Sequence, residues 1–169
     1  MPEILFYKTH PHAYLPTFGT EGAACFDFYA SLVEDHPVTI YNKGVKMPHT
    51  AFVINNKITI NAYDRALVPV NLIMDIPAGH SVRVHPRSGI SLKQGLTLFN
   101  CTGVIDEDYV DPMYITIYNI SGVPQVISDG DRIAQANLQD KISTKLSLTN
   151  IKPATKTSRL GGFGSTGKN

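Results

Sequence analysis

Short runs of β-branched and aromatic residues recur at intervals of roughly ten residues, set apart by Gly, Pro, Asn and Asp. This spacing confines the chain to an antiparallel sandwich or barrel. The runs are ILFYK, VTIY, AFVI, KITINAY, ALVPV, SVRVH, MYITIYNI and RIAQANL. Apolar and polar residues alternate in Ser81 to His85 and in Met113 to Asn119, which predicts one buried and one solvated face for each strand. Only residues 88–95 hint at a turn of helix, where the apolar Ile90 and Leu92 lie between Gly89 and Gly95. The expected class is all-β. A chain of 169 residues is the length of one domain that can bury a core without disulfides.

Two stretches depart from the regular rhythm. In AFVINNKITINAY, Asn55 and Asn56 stand between two strand-like runs and tolerate the positive φ of a two-residue turn, so a surface hairpin is expected within an insertion at about 41–64. It reads as a passive ornament or as the seat of an unknown partner. After residue 141 the pattern dissolves into Thr, Ser, Lys and Gly. A β domain over 1–150 and a flexible, Gly-rich arm over 151–169 are therefore expected.

Fifteen Lys and Arg against fourteen Asp and Glu exclude the broad basic face that sequence-independent nucleic-acid binding requires. No apolar run nears the ~18 residues that span a bilayer, and the N-terminus lacks a basic and then apolar leader. No membrane partner and a cytoplasmic location are expected. Cys25 and Cys101 form no CxxC pattern and read as buried small hydrophobes in a reducing compartment. His10 and His12 have no neighbouring carboxylate in sequence and read as surface residues rather than metal ligands.

Five segments carry polar or glycine residues that a plain sandwich does not need: GAACFDFYA (22–30), HPRSG (85–89), FNCTGVIDEDY (99–109), GDRIAQ (130–135) and the GGFGSTG tail. In the second, Arg87 offers a planar fork for phosphate oxygens, and Ser88 and Gly89 let side-chain and backbone donors approach. In the third, Asp106 follows the apolar Val104 and Ile105, where a carboxylate can orient a water for attack. Asn100 carries both the donor and the acceptor needed to read a pyrimidine edge. A polar turn and a hairpin aspartate are the bland readings of the same residues. The tail also contains GFGSTGK, which matches the first seven positions of a nucleotide P-loop. No strand precedes it, and Asn169 follows where that motif needs Ser or Thr and a helix.

In this order, the five segments resemble the motifs of the trimeric dUTPase family from about residue 22 to the end. GVIDEDY, GDRIAQ and GGFGSTG match residue for residue, and Phe26 stands for the more usual Tyr of the first motif. The resemblance implies a jelly-roll-like subunit, a homotrimer and three active sites shared between chains. It implies that Mg2+ is the cofactor and that dUTP is hydrolysed to dUMP and pyrophosphate. Arg87, Ser88, Gly89 and Gln135 would bind phosphates from one subunit. Asn100, Gly103, Val104, Ile105 and Tyr114 would hold uracil from a second, with Tyr109 against the deoxyribose. Arg159, Phe163, Gly164, Ser165 and Thr166 of a third would close the site. Asp106 would activate the water, and Asp27 would act on the metal through water.

One residue separates Arg159 from the glycine pair, where the family usually has two. The interval from Asp27 to Arg87 is longer than usual by roughly two dozen residues, which fits an inserted loop. A dCTP deaminase and a nucleotide-binding regulator without turnover are the competing readings. A deaminase needs a carboxylate where Thr116 stands.

Overall fold

A computed structural model describes residues 1–42, 44 and 47–158. Two five-stranded antiparallel sheets face each other across one core. The first runs in the order β10 (Leu96–Leu98), β12 (Tyr114–Asn119), β7 (Arg65–Pro69), β4 (Pro37–Tyr41), β5 (His49–Phe52). The second runs in the order β11 (Gly103–Asp106), β9 (His80–His85), β14 (Arg132–Asp140), β3 (Phe26–Tyr29), β2 (Thr17–Phe18). Two ribbons flank them, β1 (Leu5–Lys8) with β8 (Leu72–Asp75) and β6 (Lys57–Ile60) with β13 (Gln125–Ser128). All the pairings are antiparallel.

The alternation in the sequence sets the faces. Ile115 and Ile117 of β12, Ala66 and Val68 of β7, and Val82 and Val84 of β9 point into the core, and the residues between them point out. Phe6, Phe26 and Phe28 pack edge to face at the end of the sandwich, with ring centroids 5.5–6.5 Å apart. The helical turn of residues 88–95 is α1 (Ser88–Gln94). It ends at Gly95, whose φ of 65° and close approach to Ser121 require glycine.

The expected two-residue turn forms at Asn55 and Asn56, both at positive φ, between the bridged Ile54 and Lys57. Its surface character does not hold. Beyond the turn the two arms separate, β5 joining β4 and β6 joining β13. Val53, Ile58 and Ile60 are buried in the core. The reason lies in Asn119, a fully buried residue at the end of β12 whose Nδ2 donates to the carbonyls of Ile60, Asn61 and Val123 at 2.8–3.0 Å. Its Oδ1 accepts from the Ser121 N–H and hydroxyl. The segment is thus stitched into the sheet and forms part of the core rather than a surface hairpin.

The N-terminal stretch is tied down in the same manner. His12 Nε2 and the Tyr14 hydroxyl meet Asp129 Oδ2 at 2.7 and 2.5 Å, and the Leu32 N–H donates to Oδ1 at 2.8 Å. Burial alone would raise the Asp129 carboxyl, but these hydrogen bonds outweigh it and hold it below the usual range. His12 therefore has the carboxylate neighbour that its sequence context lacked. Among the described residues no three His, Cys, Asp or Glu side chains converge as a metal cage. The cysteines also differ from expectation, since Cys101 is exposed in a turn with φ of 62° and Cys25 is only half-buried.

Ile60→Ala should lower unfolding free energy by about 2–5 kcal/mol in urea titration, as large-to-small changes in packed cores do. Deleting residues 49–62 should yield no folded protein, by circular dichroism, because it also strands the Asn119 amide.

Candidate active site

The expected site residues come chiefly from the second sheet, and its register decides how they stand. Asp27 on β3 lies opposite Gln135 on β14, and Gln135 lies opposite His85 on β9. Asp106 ends β11 opposite Ser81, four residues along β9 from His85. Because strand side chains alternate with period two, Asp27, Gln135 and Asp106 all point away from the core on the same side of the sheet. Three strand spacings and four residues of rise nevertheless separate Asp27 from Asp106 by roughly 20 Å.

The half at Asp27 is a cleft of about 240 Å³ in which Arg87, Ser88, Gly89 and Gln135 come together as expected. Arg87 leaves β9 just before α1, and Ser88 and Gly89 open that helix. Gln135 Nε2 donates to the Pro86 carbonyl at 2.9 Å, which fixes the turn against β14. Asp27 is buried and accepts from two cations, Arg87 Nε at 2.8 Å and Arg132 Nη1 at 3.2 Å. Arg132 belongs to the GDRIAQ segment but was not singled out in the sequence. Nothing in linear order ties residue 132 to residue 27.

The half at Asp106 contains a second, tighter cleft of about 40 Å³ among Asn100, Gly103, Ile105, Tyr114 and Thr116, floored by Met113 and Ile115. Gly103 is needed there. A Cβ on it would stand 3.1 Å from Val84 Cβ and 3.5 Å from Asn100 Nδ2, filling the space. The Thr116 hydroxyl donates to Asn100 Oδ1 at 2.9 Å and so sets the direction of the carboxamide. Val104 faces outward and is exposed, as are Asp106 and Tyr109. The Tyr109 hydroxyl donates to the Pro112 carbonyl at 3.2 Å, and the Tyr109 N–H closes the turn onto the Asp106 carbonyl. The two clefts share no lining residue. Arg159, Phe163, Gly164, Ser165 and Thr166 lie outside the described residues.

The donor set bears on a metal. Asp27 is the carboxylate in the first cleft, and each of its oxygens already accepts from an arginine. Mg2+ prefers several oxygen ligands and keeps its waters, so these residues fit an ion held chiefly by a ligand's phosphates and reached by Asp27 through water.

The dUTPase family profile matches residues 52–167. The deoxyuridine 5'-triphosphate nucleotidohydrolase of Rhizobium meliloti is 36% identical over 154 residues, covering 90% of this chain and 82% of that protein. The protein of the same name from a Hydrogenobaculum species is 30% identical over 166 residues, 98% of each chain. Among solved structures, the dUTPase of Staphylococcus bacteriophage 80alpha with dUpNHpp superposes with a TM-score of 0.76 at 17% identity, covering 98% of both chains. That of phage phi11 of S. aureus, described with a structural Mg(II) ion, gives 0.68 at 16% identity over 88% of this chain and 97% of that one.

Beside Asp106, Glu107 is clamped by the Lys141 ammonium and by the Gly79 N–H at 2.5 Å, joining the end of β14 to the β11 turn. Lys141 first, then the Gly79 N–H, hold the Glu107 carboxyl below the usual range. A depressed carboxylate stabilises the fold above its unfolded pKa of about 4.3 and loses that contribution as pH falls through its lower folded value. Glu107→Gln should therefore lower the urea midpoint at pH 7, and the gap to the parent should close as the pH is taken below about 4.

Proposed function

The chain belongs to the dUTPase family, and we propose on that premise that it hydrolyses dUTP to dUMP and pyrophosphate at a site that each subunit of a homotrimer completes with its neighbours. The observation that carries the shared site is the distance between the two halves. Asp106 and the arginine cleft of one subunit are roughly 20 Å apart on the same sheet face. A water at Asp106 and phosphates at Arg87 must nonetheless meet at a single α-phosphorus, so the two come from different chains.

Uracil enters the small cleft. Asn100 presents its carboxamide, oriented by Thr116, with main-chain groups of Gly103 to Ile105 completing the edge recognition. The tightness enforced around Gly103 and Val84 favours a planar pyrimidine over a purine. Tyr114 lines the same cleft beside the base, and Tyr109 packs against the deoxyribose. On the neighbouring subunit, Arg87, Ser88, Gly89 and Gln135 receive the phosphates, with Arg87 aimed by its bond to Asp27. Mg2+, when bound by the triphosphate, supplies further neutralisation of its charge.

Asp106 stands exposed at the strand end. It orients a water, takes its proton and directs the oxygen in line at the α-phosphorus while the α–β bond breaks and pyrophosphate leaves. Residues 1–150 form the β domain that carries these groups. The arm of 151–169 closes the site from a third chain, Phe163 over the base and Arg159, Gly164, Ser165 and Thr166 at the phosphates. Thr116 stands where a deaminase needs a carboxylate, and its hydroxyl is engaged with Asn100, which supports hydrolysis over deamination.

Asp106→Asn should lower kcat for dUTP by about 10²- to 10⁴-fold while leaving KM within a few-fold, the signature of a lost general base. Release of pyrophosphate, followed by a coupled assay, gives both constants. Turnover within a few-fold of the parent would remove Asp106 from this role.

A further inference from the structure

Asp27, Arg87 and Arg132 form a closed triangle. Arg87 Nε and Arg132 Nη1 take the two oxygens of Asp27, and Arg87 Nη1 donates to the Arg132 carbonyl at 3.0 Å. Two guanidiniums brought this close would repel one another, and the buried carboxylate between them offsets that repulsion. The cluster keeps one net positive charge. Of the five N–H groups on each guanidinium, these bonds use two on Arg87 and one on Arg132.

Arg132 is also aimed. The pairing of β14 with β3 shifts register between Arg132 and Ala134, and such a bulge redirects a side chain next to a site. The Arg132 side chain remains 49% exposed and lines the same cleft as Ser88 and Gly89. A side chain serving only to satisfy Asp27 has no need of that cleft.

We infer that Arg132 is a further binding residue for the distal phosphates of the nucleotide, and that Asp27 is the positioning residue that holds it beside Arg87. The assignment rests on the reading of this cleft as the phosphate end of the site. The distal phosphates are the target because the α-phosphorus must lie within reach of the water at Asp106. Asp27 performs this task with or without a metal.

The test is calorimetric titration of the full-length protein in EDTA with α,β-imido-dUTP and with dUMP. Arg132→Gln should weaken the imido analogue by about tenfold or more, the size expected for a lost charge-assisted bond, and leave dUMP within about twofold. Arg132→Lys keeps the charge without the planar fork and should fall between parent and Gln. It also carries the comparison if the Gln variant fails to fold, which thermal unfolding of each variant would reveal. Asp27→Asn should weaken the analogue in EDTA as well. Equal losses for both ligands, or no loss for either, would overturn the role of Arg132. An Asp27→Asn defect that appears only with Mg2+ would overturn the positioning role. A parent protein that binds neither ligand would instead sink the phosphate-end reading and this assignment with it.

Discussion

The hydrogen-bonded register of β3, β14, β9 and β11 is the constraint on which the rest depends. It puts Asp27, Gln135 and His85 in one row across the sheet and Asp106 four residues further along and at the far edge. A slip of one residue in any of these pairs would turn the polar row into the core and bring Val84 and Ala136 out. The same register that collects the polar groups on one face also keeps Asp106 away from the arginines. The proposed sharing of sites between subunits rests on this separation, since no side chain spans roughly 20 Å between a strand edge and a row three strands away.

Register at this precision needs the sheet ends to be held, and the polar residues that are not in either cleft do that work. Asn119 secures the segment after β6 to the end of β12, Asp129 gathers the N-terminal stretch onto the β13–β14 turn, and Glu107 with Lys141 fastens the Asp106 turn to β14. Asn119 and Asp129 replace water around groups that the fold covers and are costly to remove for that reason, whereas the Glu107–Lys141 pair lies at the surface and contributes less. The candidate site residues stand on strand ends and on the turn before α1, where a rigid scaffold can present exposed groups.

Much of this was legible in the chain. Period-two alternation in Ser81–His85 and Met113–Asn119 gave the inward faces, and the glycines around residues 88–95 marked the helix. Order and spacing of the five segments identified the family. Position in space was less accessible. Asn55 and Asn56 correctly announced a turn, yet the alternation of Lys57, Ile58, Thr59 and Ile60 also signalled a half-buried strand, and the polar turn overshadowed it. Cys101 reads as core because a free cysteine behaves as a small hydrophobe, whereas it sits exposed at positive φ in the β10–β11 turn. The alliance of Asp27 with Arg132 spans 105 positions. Only the pairing of β3 with β14 brings the two together.

On the proposed reading, one site draws Asp106 and Arg87 from different subunits. The direct measurement is dUTP turnover by a refolded mixture of two inactive variants, Asp106→Asn and Arg87→Gln. In a closed three-fold ring with random mixing, about a quarter of the sites pair an intact Asp106 with an intact Arg87 across an interface. The mixture should regain roughly a quarter of the parent activity although each variant alone is nearly inactive. A mixture that stays inactive, with hybrid trimers confirmed by native mass spectrometry, would show that both residues serve a site within one chain and would contradict it.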